Sequence, residues 1–463
     1  MNVNNIASEF LNKFYMLGGD YILRRWRGDF YLYDNGCYYK ISEDEMKCHV
    51  IKYLRKEHSQ ENITTFTINS TFANIKGEVN IPATIEANSW LEYETKYIRT
   101  LSFNNGFLVT YPNGDIALVE HSPKCFILTK LPYNYNVNAT CPNWIEFLKG
   151  IMDNDLERIQ LLQQWAGYLL TPDLRKQKFL LCLGEGANGK GVFFETMENM
   201  LGRNNCSHVL LARFGDKFSL YHTLGKLVNS STESSQEIGE FAENQLKAYT
   251  AGDPIDFEKK HGDIISAVPT AKVMIATNEL PRFKDRTNGV WRRLLYVPFN
   301  KDYPEEHWDE YLADKLSLEL SGIFNWAMKA DLTKGFIKPE ICREGILESR
   351  RNLAPEKIFL QDLFQYQKNE SVTAKSIYSE YKQYCEENGF KPQNNTNFGK
   401  AIKREFPNTQ KVRLGTGQRD YVYEGLSRIS NIPEPSIPNI GEQSKAVDLA
   451  YIQAHGGSME IHD

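Results

Sequence analysis

The sequence predicts a mixed α/β protein, with a central parallel sheet preceded by an α+β domain and followed by a small winged-helix unit. Three observations carry that reading. A short apolar strand at 179–183 runs into a glycine-rich loop and then a helical stretch at 192–201. Further apolar runs at 226–230, 273–277 and 294–299 are separated by helical sequence, as in a sheet covered on both faces. Between 371 and 425, two helical patterns precede two short strands split by Gly415-Thr416-Gly417.

With 463 residues the chain exceeds one core of usual size, so two to four domains are expected. In 29–41, aromatic and apolar residues flank Asp34-Asn35-Gly36, a β-hairpin signal. A helix over 44–56 and short strands near 106–108 and 115–119 complete an α+β domain at 1–142. Trp144, Leu148, Leu162, Trp165 and Leu169 recur at helical spacing, giving a connector at 143–175. The parallel-sheet core is placed at 176–335, with helical sequence from His307 to about Leu332. A linker is expected at 336–370, the winged helix at 371–425, and a Pro-rich, disordered tail at 426–463.

Composition is that of an ordinary globular chain, 41% hydrophobic and 24% charged, and the net charge of -5 excludes a wholly basic nucleic-acid coat. Contact with nucleic acid must then come from local patches. The eight cysteines are scattered without a C-x-x-C pair, so no zinc site is expected and a reducing cytoplasm is. No apolar run approaches the length of a membrane span, so no membrane partner is expected.

The glycine-rich loop reads Gly184-Glu185-Gly186-Ala187-Asn188-Gly189-Lys190-Gly191, which fits the first seven positions of G-x-x-x-x-G-K-[ST]. Small residues let successive N–H groups turn inward around phosphate oxygens, and the following helix N-terminus adds partial positive charge. Gly184, Gly186, Asn188, Gly189, Lys190, Gly191 and Val192 are therefore the expected ATP contacts, with Lys190 on the β- and γ-phosphates. The plainer alternative is a ligand-free β–α turn. Gly191 stands where a hydroxyl would ligate Mg2+. After the 226–230 strand, Ser231-Thr232-Glu233 supplies a second acidic motif, with Glu233 suited to orient water. Magnesium is expected to be held mainly by phosphates and water, with Thr232 or Glu233 in support.

Further on, the strand 272–277 delivers Asn278, and Gly289-Val290-Trp291-Arg292-Arg293 follows. This ordered set resembles superfamily 3 helicases, specifically the D5-like and P4-primase-like ATPases, and is similar to replication initiators of staphylococcal pathogenicity islands and chromosome cassettes. The resemblance covers about 144–299. It implies an AAA+-like ATPase core, with Lys190 on phosphate, Glu233 activating water, Asn278 as sensor, and Arg292 or Arg293 as the finger of the adjoining subunit. It also implies that Lys259, Lys260 and His261 lie on a hairpin gripping DNA in a central channel. Taken alone, those residues read as an exposed turn, and the arginines as a solvated pair.

In the C-terminal unit, Lys400, Lys403 and Arg404 lie near one face of the second helix, and Arg413 and Arg419 flank the wing. A major-groove helix with a wing on the backbone would use such residues. A small oligomerisation module is the other possibility. The leading expectation is a hexameric, ATP-driven replicative helicase and initiator of a mobile element in a bacterial host. It would translocate 3′ to 5′ on single-stranded DNA and bind origin duplex DNA. Residues 1–150 show neither zinc-ribbon cysteines nor a paired-carboxylate metal motif, so priming is assigned to a separate primase working with host replication proteins. Two alternatives are kept: a primase-helicase, and a DNA-binding regulator in which nucleotide controls only assembly.

Overall fold

The computed structural model describes residues 3–58, 63–91, 97–233, 238–260, 264–281, 283, 288–301, 309–413 and 420–429. The chain divides into two compact units, Met1–Leu347 and Glu348–Asp463. The first begins with helix α1 (Val3–Phe14) and an antiparallel meander of β1 (Leu23–Trp26), β2 (Asp29–Asp34) and β3 (Cys37–Ile41). The expected hairpin is present. Asn35 and Gly36 both take positive φ, 46° and 88°, as a type I′ turn requires.

Helices α2 (Glu43–Glu57) and α3 (Thr65–Glu78) follow, the former started by Ser42, whose hydroxyl accepts from Glu45 N. Phe10, Leu23, Phe30, Val50, Leu54 and Ile75 form their shared core. A second meander comprises β4 (Arg99–Phe103), β5 (Gly106–Thr110) and β6 (Ile116–Val119). The expected connector is two helices, α4 (Pro142–Ile151) and α5 (Leu156–Leu169), with Trp144 and Trp165 fully buried.

Next come β7 (Phe179–Leu183), α6 (Lys190–Leu201), β8 (Cys206–Ser207), β9 (Val228–Glu233) and α7 (Glu240–Ala251). A hairpin of β10 (Ile255–Glu258) and β11 (Ile264–Ala267) precedes β12 (Lys272–Thr277) and β13 (Leu294–Pro298). Five strands make one sheet in the order β8-β9-β12-β7-β13, with every neighbouring pair parallel. β12 and β13 are buried along their whole length, which explains the apolar runs Val273–Ala276 and Leu294–Val297 within them. β9 runs to Glu233, so Thr232 and Glu233 end the strand instead of following it. The helical stretch after the sheet resolves into α8 (Leu312–Leu318) and α9 (Leu320–Met328). No described helix is long and apolar enough to cross a membrane.

The segment expected as a linker is structured. It contains α10 (Glu340–Leu353), α11 (Pro355–Leu363) and the start of β14 (Phe364–Thr373). Pro355 opens α11, and Phe359, Leu360 and Phe364 enter the core of the second unit beside Ile377, Tyr381 and Phe398. That unit continues with α12 (Ala374–Glu387), α13 (Asn395–Glu405), β15 (Gln410–Arg413) and β16 (Tyr421–Arg428). Its antiparallel sheet has the order β14-β16-β15. Tyr381 and Phe398 stack across α12 and α13 at 4.2 Å and 9°. The glycine tip between β15 and β16 falls outside the described residues, as does the expected tail from 430 on; its first residues, 426–428, instead complete β16, with Leu426 fully buried.

Candidate active site

The glycine-rich loop joins β7 to α6, and the backbone shows why its residues are small. Gly189 caps α6 with φ 83°, and a Cβ there would lie 2.5 Å from Ile151 Cγ2. At Gly184 a Cβ would lie 2.4 Å from the Phe299 carbonyl oxygen. Neither position tolerates a side chain. Gly186 and Gly191, by contrast, face open space and have no φ that excludes other residues. Val192 lies in the first turn of α6, where its carbonyl accepts from the Thr196 hydroxyl at 2.7 Å.

Lys190 Nζ donates to three acceptors: Gly184 O at 2.6 Å, Glu185 O at 2.7 Å and Asn188 Oδ1 at 2.9 Å. Burial pushes its pKa below the ordinary lysine value. Asn188 Nδ2 donates to Glu185 O at 2.7 Å and to Phe299 O at 3.1 Å, tying the loop to the chain just beyond β13. A further brace is Arg158, buried behind the loop. It donates to Asp155 Oδ2 at 2.8 Å, Pro298 O at 2.9 Å and Met152 O at 2.8 Å. Sequence reasoning missed Arg158; the signal was the acidic helix start at Asp155.

Strand register gathers the other expected residues at the loop's edge of the sheet. Thr277, the last residue of β12, pairs with Leu183 on one side and Glu233 on the other. Gly184 N donates to Thr277 O at 3.2 Å. Asn278 follows Thr277 and is exposed, and Thr232 is exposed one position before Glu233. The Glu233 side chain lies outside what is described. Toward a hard divalent ion brought in by a nucleotide, Thr232 offers one hydroxyl and Gly191 none. Among the described residues, no group of three or more His, Cys, Asp or Glu forms a ready-made metal cage.

Arg292 and Arg293 lie at the opposite edge. Arg293 O accepts from Phe179 N at the start of β7, so the strand's length, roughly 15 Å, separates both arginines from this chain's own loop. The two differ in setting. Arg293 is buried and donates from Nη1 to Gly289 O at 2.7 Å, whereas Arg292 is exposed. Lys178, whose amine donates to Arg292 O, sits beside both arginines and Lys338; burial first, then these cations, push its pKa down.

Lys259 and Lys260 are exposed just after β10, and Lys259 Nζ lies 6.0 Å from the Tyr221 ring centroid. His261 falls outside the described residues. In the second unit, Lys400 and Arg413 are exposed. Lys403 Nζ donates to Pro407 O at 2.7 Å and Thr409 O at 2.8 Å, closing the C-terminal end of α13. Arg404 is 3.6 Å from the buried carboxylate of Glu356 and 3.6 Å from Glu405. Lys403 and Arg404 thus also hold the unit together. Arg419 falls outside the described residues.

Comparison with known proteins divides along the same lines. Residues 182–293 match a family of unknown function, DUF5906, and residues 355–430 match the RFX DNA-binding domain. The chain is 41% identical to DNA-binding protein RFX7 of Xenopus laevis over 71 residues, 15% of this chain and 5% of that protein. It is 25% identical over 231 residues to a protein of Acanthamoeba polyphaga mimivirus provisionally named helicase L207/L206, covering 45% of this chain and 23% of the relative. The chain thus spans under a quarter of the length of either relative. In fold it is similar to the NrS-1 C terminal region, with TM-score 0.53 and 13% identity over 91% of this chain and 98% of that one. The matched C-terminal stretch begins at Pro355, where α11 begins, and not at Ser371.

Proposed function

We propose that this chain is an ATP-dependent DNA helicase that initiates replication of a mobile element. The observation that carries the reading is the joint placement of the Lys190 loop, the end of β9 and Asn278 at one edge of the parallel sheet. The similarity to a viral protein named for a helicase supports it, as does the RFX match in the second unit. The RFX match points toward DNA.

In this mechanism, oxygens of the β- and γ-phosphates replace Gly184 O, Glu185 O and Asn188 Oδ1 as acceptors for the Lys190 amine. The α6 N-terminus lies beside them and favours their charge. Glu233 draws a proton from water aligned on the γ-phosphate, and Asn278 hydrogen-bonds that phosphate. Magnesium, when bound with nucleotide, neutralises phosphate charge, with Thr232 and the phosphates holding it. Arg292 lies too far from its own loop, so it completes the site of the adjoining copy and stabilises the charge that develops there. Arg293 holds the Gly289 turn that aims it.

The working assembly is an AAA+-like ring of six moving 3′ to 5′ on single-stranded DNA, with Lys259, Lys260 and His261 toward the strand. The second unit acts as a winged helix on origin duplex DNA, through Lys400, Arg413 and Arg419, in the cytoplasm of a bacterial host. A separate primase supplies primers. The deciding experiment is unwinding of forks of opposite polarity. The wild type is expected to open one polarity with ATP and Lys190→Ala neither; DNA binding without unwinding by the wild type would sink the proposal.

A further inference from the structure

Unit 1 contains a cleft of about 810 Å³ that none of these steps uses, lying between the β1–β3 meander and the β10–β11 hairpin. Its volume falls in the range of about 300–1,000 Å³ typical of ligand sites, but its lining is unlike that of an apolar small-molecule pocket. Its lining combines aromatic rings with cations. Trp26 and Tyr31 stand on the meander face that also carries Lys40, and Tyr221 approaches Tyr31 from the core. Tyr31 and Tyr221 are both half-buried, so part of each ring is open to a ligand. The guanidinium of Arg27 lies 4.3 Å over the Trp26 ring.

Four cations, Arg27, Lys40, Lys130 and Lys226, line the cleft against two carboxylates, Asp29 and Glu86. The carboxylates pair with Lys40 and Arg27, and Glu86 is 74% exposed, so a phosphate can exchange for it at little cost. Lys130 Nζ donates to Asn35 O at 2.7 Å and Lys226 Nζ to Asn204 O at 2.5 Å. Each ammonium has three donors, so a backbone carbonyl fixes its position while leaving capacity for a phosphate oxygen. Tyr221 joins this cleft to the hairpin, since the same ring lies under Lys259.

We propose that this cleft is a second binding site, for a short stretch of single-stranded nucleic acid. Bases stack on Tyr31 and Tyr221, and the backbone runs along Lys40, Lys130 and Lys226. Recessed rings combined with lysines suit unpaired bases, whose faces are free, and not a duplex, whose bases are already stacked. The proposal rests on the helicase reading only for the identity of the strand as DNA.

The test is ultraviolet crosslinking of a bromodeoxyuridine-substituted oligo-dT to the full-length protein without nucleotide, followed by mapping of the modified peptides. Adducts at Tyr31 or Tyr221, competed by unlabelled oligo-dT but not by duplex, are expected. Adducts found solely near Lys259 and Lys260, or in the second unit, overturn the proposal. Tyr31→Leu, which keeps bulk but removes the ring, and Lys130→Ala are each expected to weaken binding of a fluorescent oligo-dT about tenfold, and unchanged affinity in both overturns it too. Parallel arms with oligo-rU separate DNA from RNA: tighter oligo-dT binding in the cleft supports DNA, and tighter oligo-rU binding makes RNA the strand. Fork unwinding by a wild type that gives no cleft adduct removes this site and leaves the helicase standing. Cleft adducts without unwinding do the reverse.

Discussion

Lys190 is held by three loop acceptors in a buried setting, so its replacement removes both a phosphate ligand and the loop's internal fastening. Lys190→Ala is expected to lower ATP turnover at least about 100-fold, measured by phosphate release, with a normal circular-dichroism spectrum. The glycines make a sharper contrast. Gly184→Ala would push a Cβ into the Phe299 carbonyl and should reduce nucleotide affinity, whereas Gly191→Ser enters open space and should fold normally. Because the serine hydroxyl supplies the missing metal ligand, Gly191→Ser is expected to lower the Mg2+ concentration needed for half-maximal turnover; an unchanged Mg2+ dependence would show that Thr232 and the phosphates suffice. The loop was legible in the sequence because seven contiguous residues encode it. Arg158 was not, since its three partners are backbone and side-chain oxygens drawn from two separate stretches, 152–155 and 298.

At the scale of elements, the start of β12 carries an unusual lysine. Lys272 is 1% exposed, lies 4.9 Å over the Tyr168 ring and donates to Thr171 O. Burial pushes its amine down to about 7, Asp173 opposing and Arg99 adding to the shift. The unfolded chain therefore holds a proton there between about pH 7 and 10.5 that the folded chain does not. Stability against urea should rise with pH across that window, by up to about 1.4 kcal/mol per pH unit from this residue, and be flat in its contribution below it. Lys272→Met should lose that component of the slope, which paired urea titrations at pH 7 and 9.5 can measure. Sequence periodicity located β12 but gave no warning of its buried amine. It also missed α11 and β14, for two reasons. The apolar residues of α11 that enter the core, Phe359 and Leu360, are too few to set a period, and most of β14 is exposed, so no alternation marks it.

For the whole molecule, the arginines and the phosphate loop occupy opposite edges of one sheet. Mixing Lys190→Ala with Arg292→Ala is therefore expected to recover part of the ATPase that each variant lacks, and Lys190→Ala with Arg293→Ala less, since Arg293 is buried. Absence of any recovery in the first mixture would place both groups in one chain's site. Truncation after Ala354 should abolish binding to origin duplex in gel-shift assays while leaving ATP turnover measurable, because the RFX match and the second core both begin at Pro355 or just beyond. The strand order β8-β9-β12-β7-β13 was beyond sequence reading, as it rests on pairings between distant segments.

β13 has a mechanical meaning in that order. Its far end meets Asn188 through Phe299, its near end follows directly on Arg293, and every residue between is buried and paired with β7. A rod fixed at both ends and clamped along its length carries displacement instead of absorbing it. In the proposed ring, any shift of Asn188 as Lys190 turns to phosphate would thus reach the arginine offered to the next copy. Each subunit would tell its neighbour whether it is loaded, and cutting the far end of that linkage with Asn188→Ala should bring the Hill coefficient for ATP toward one.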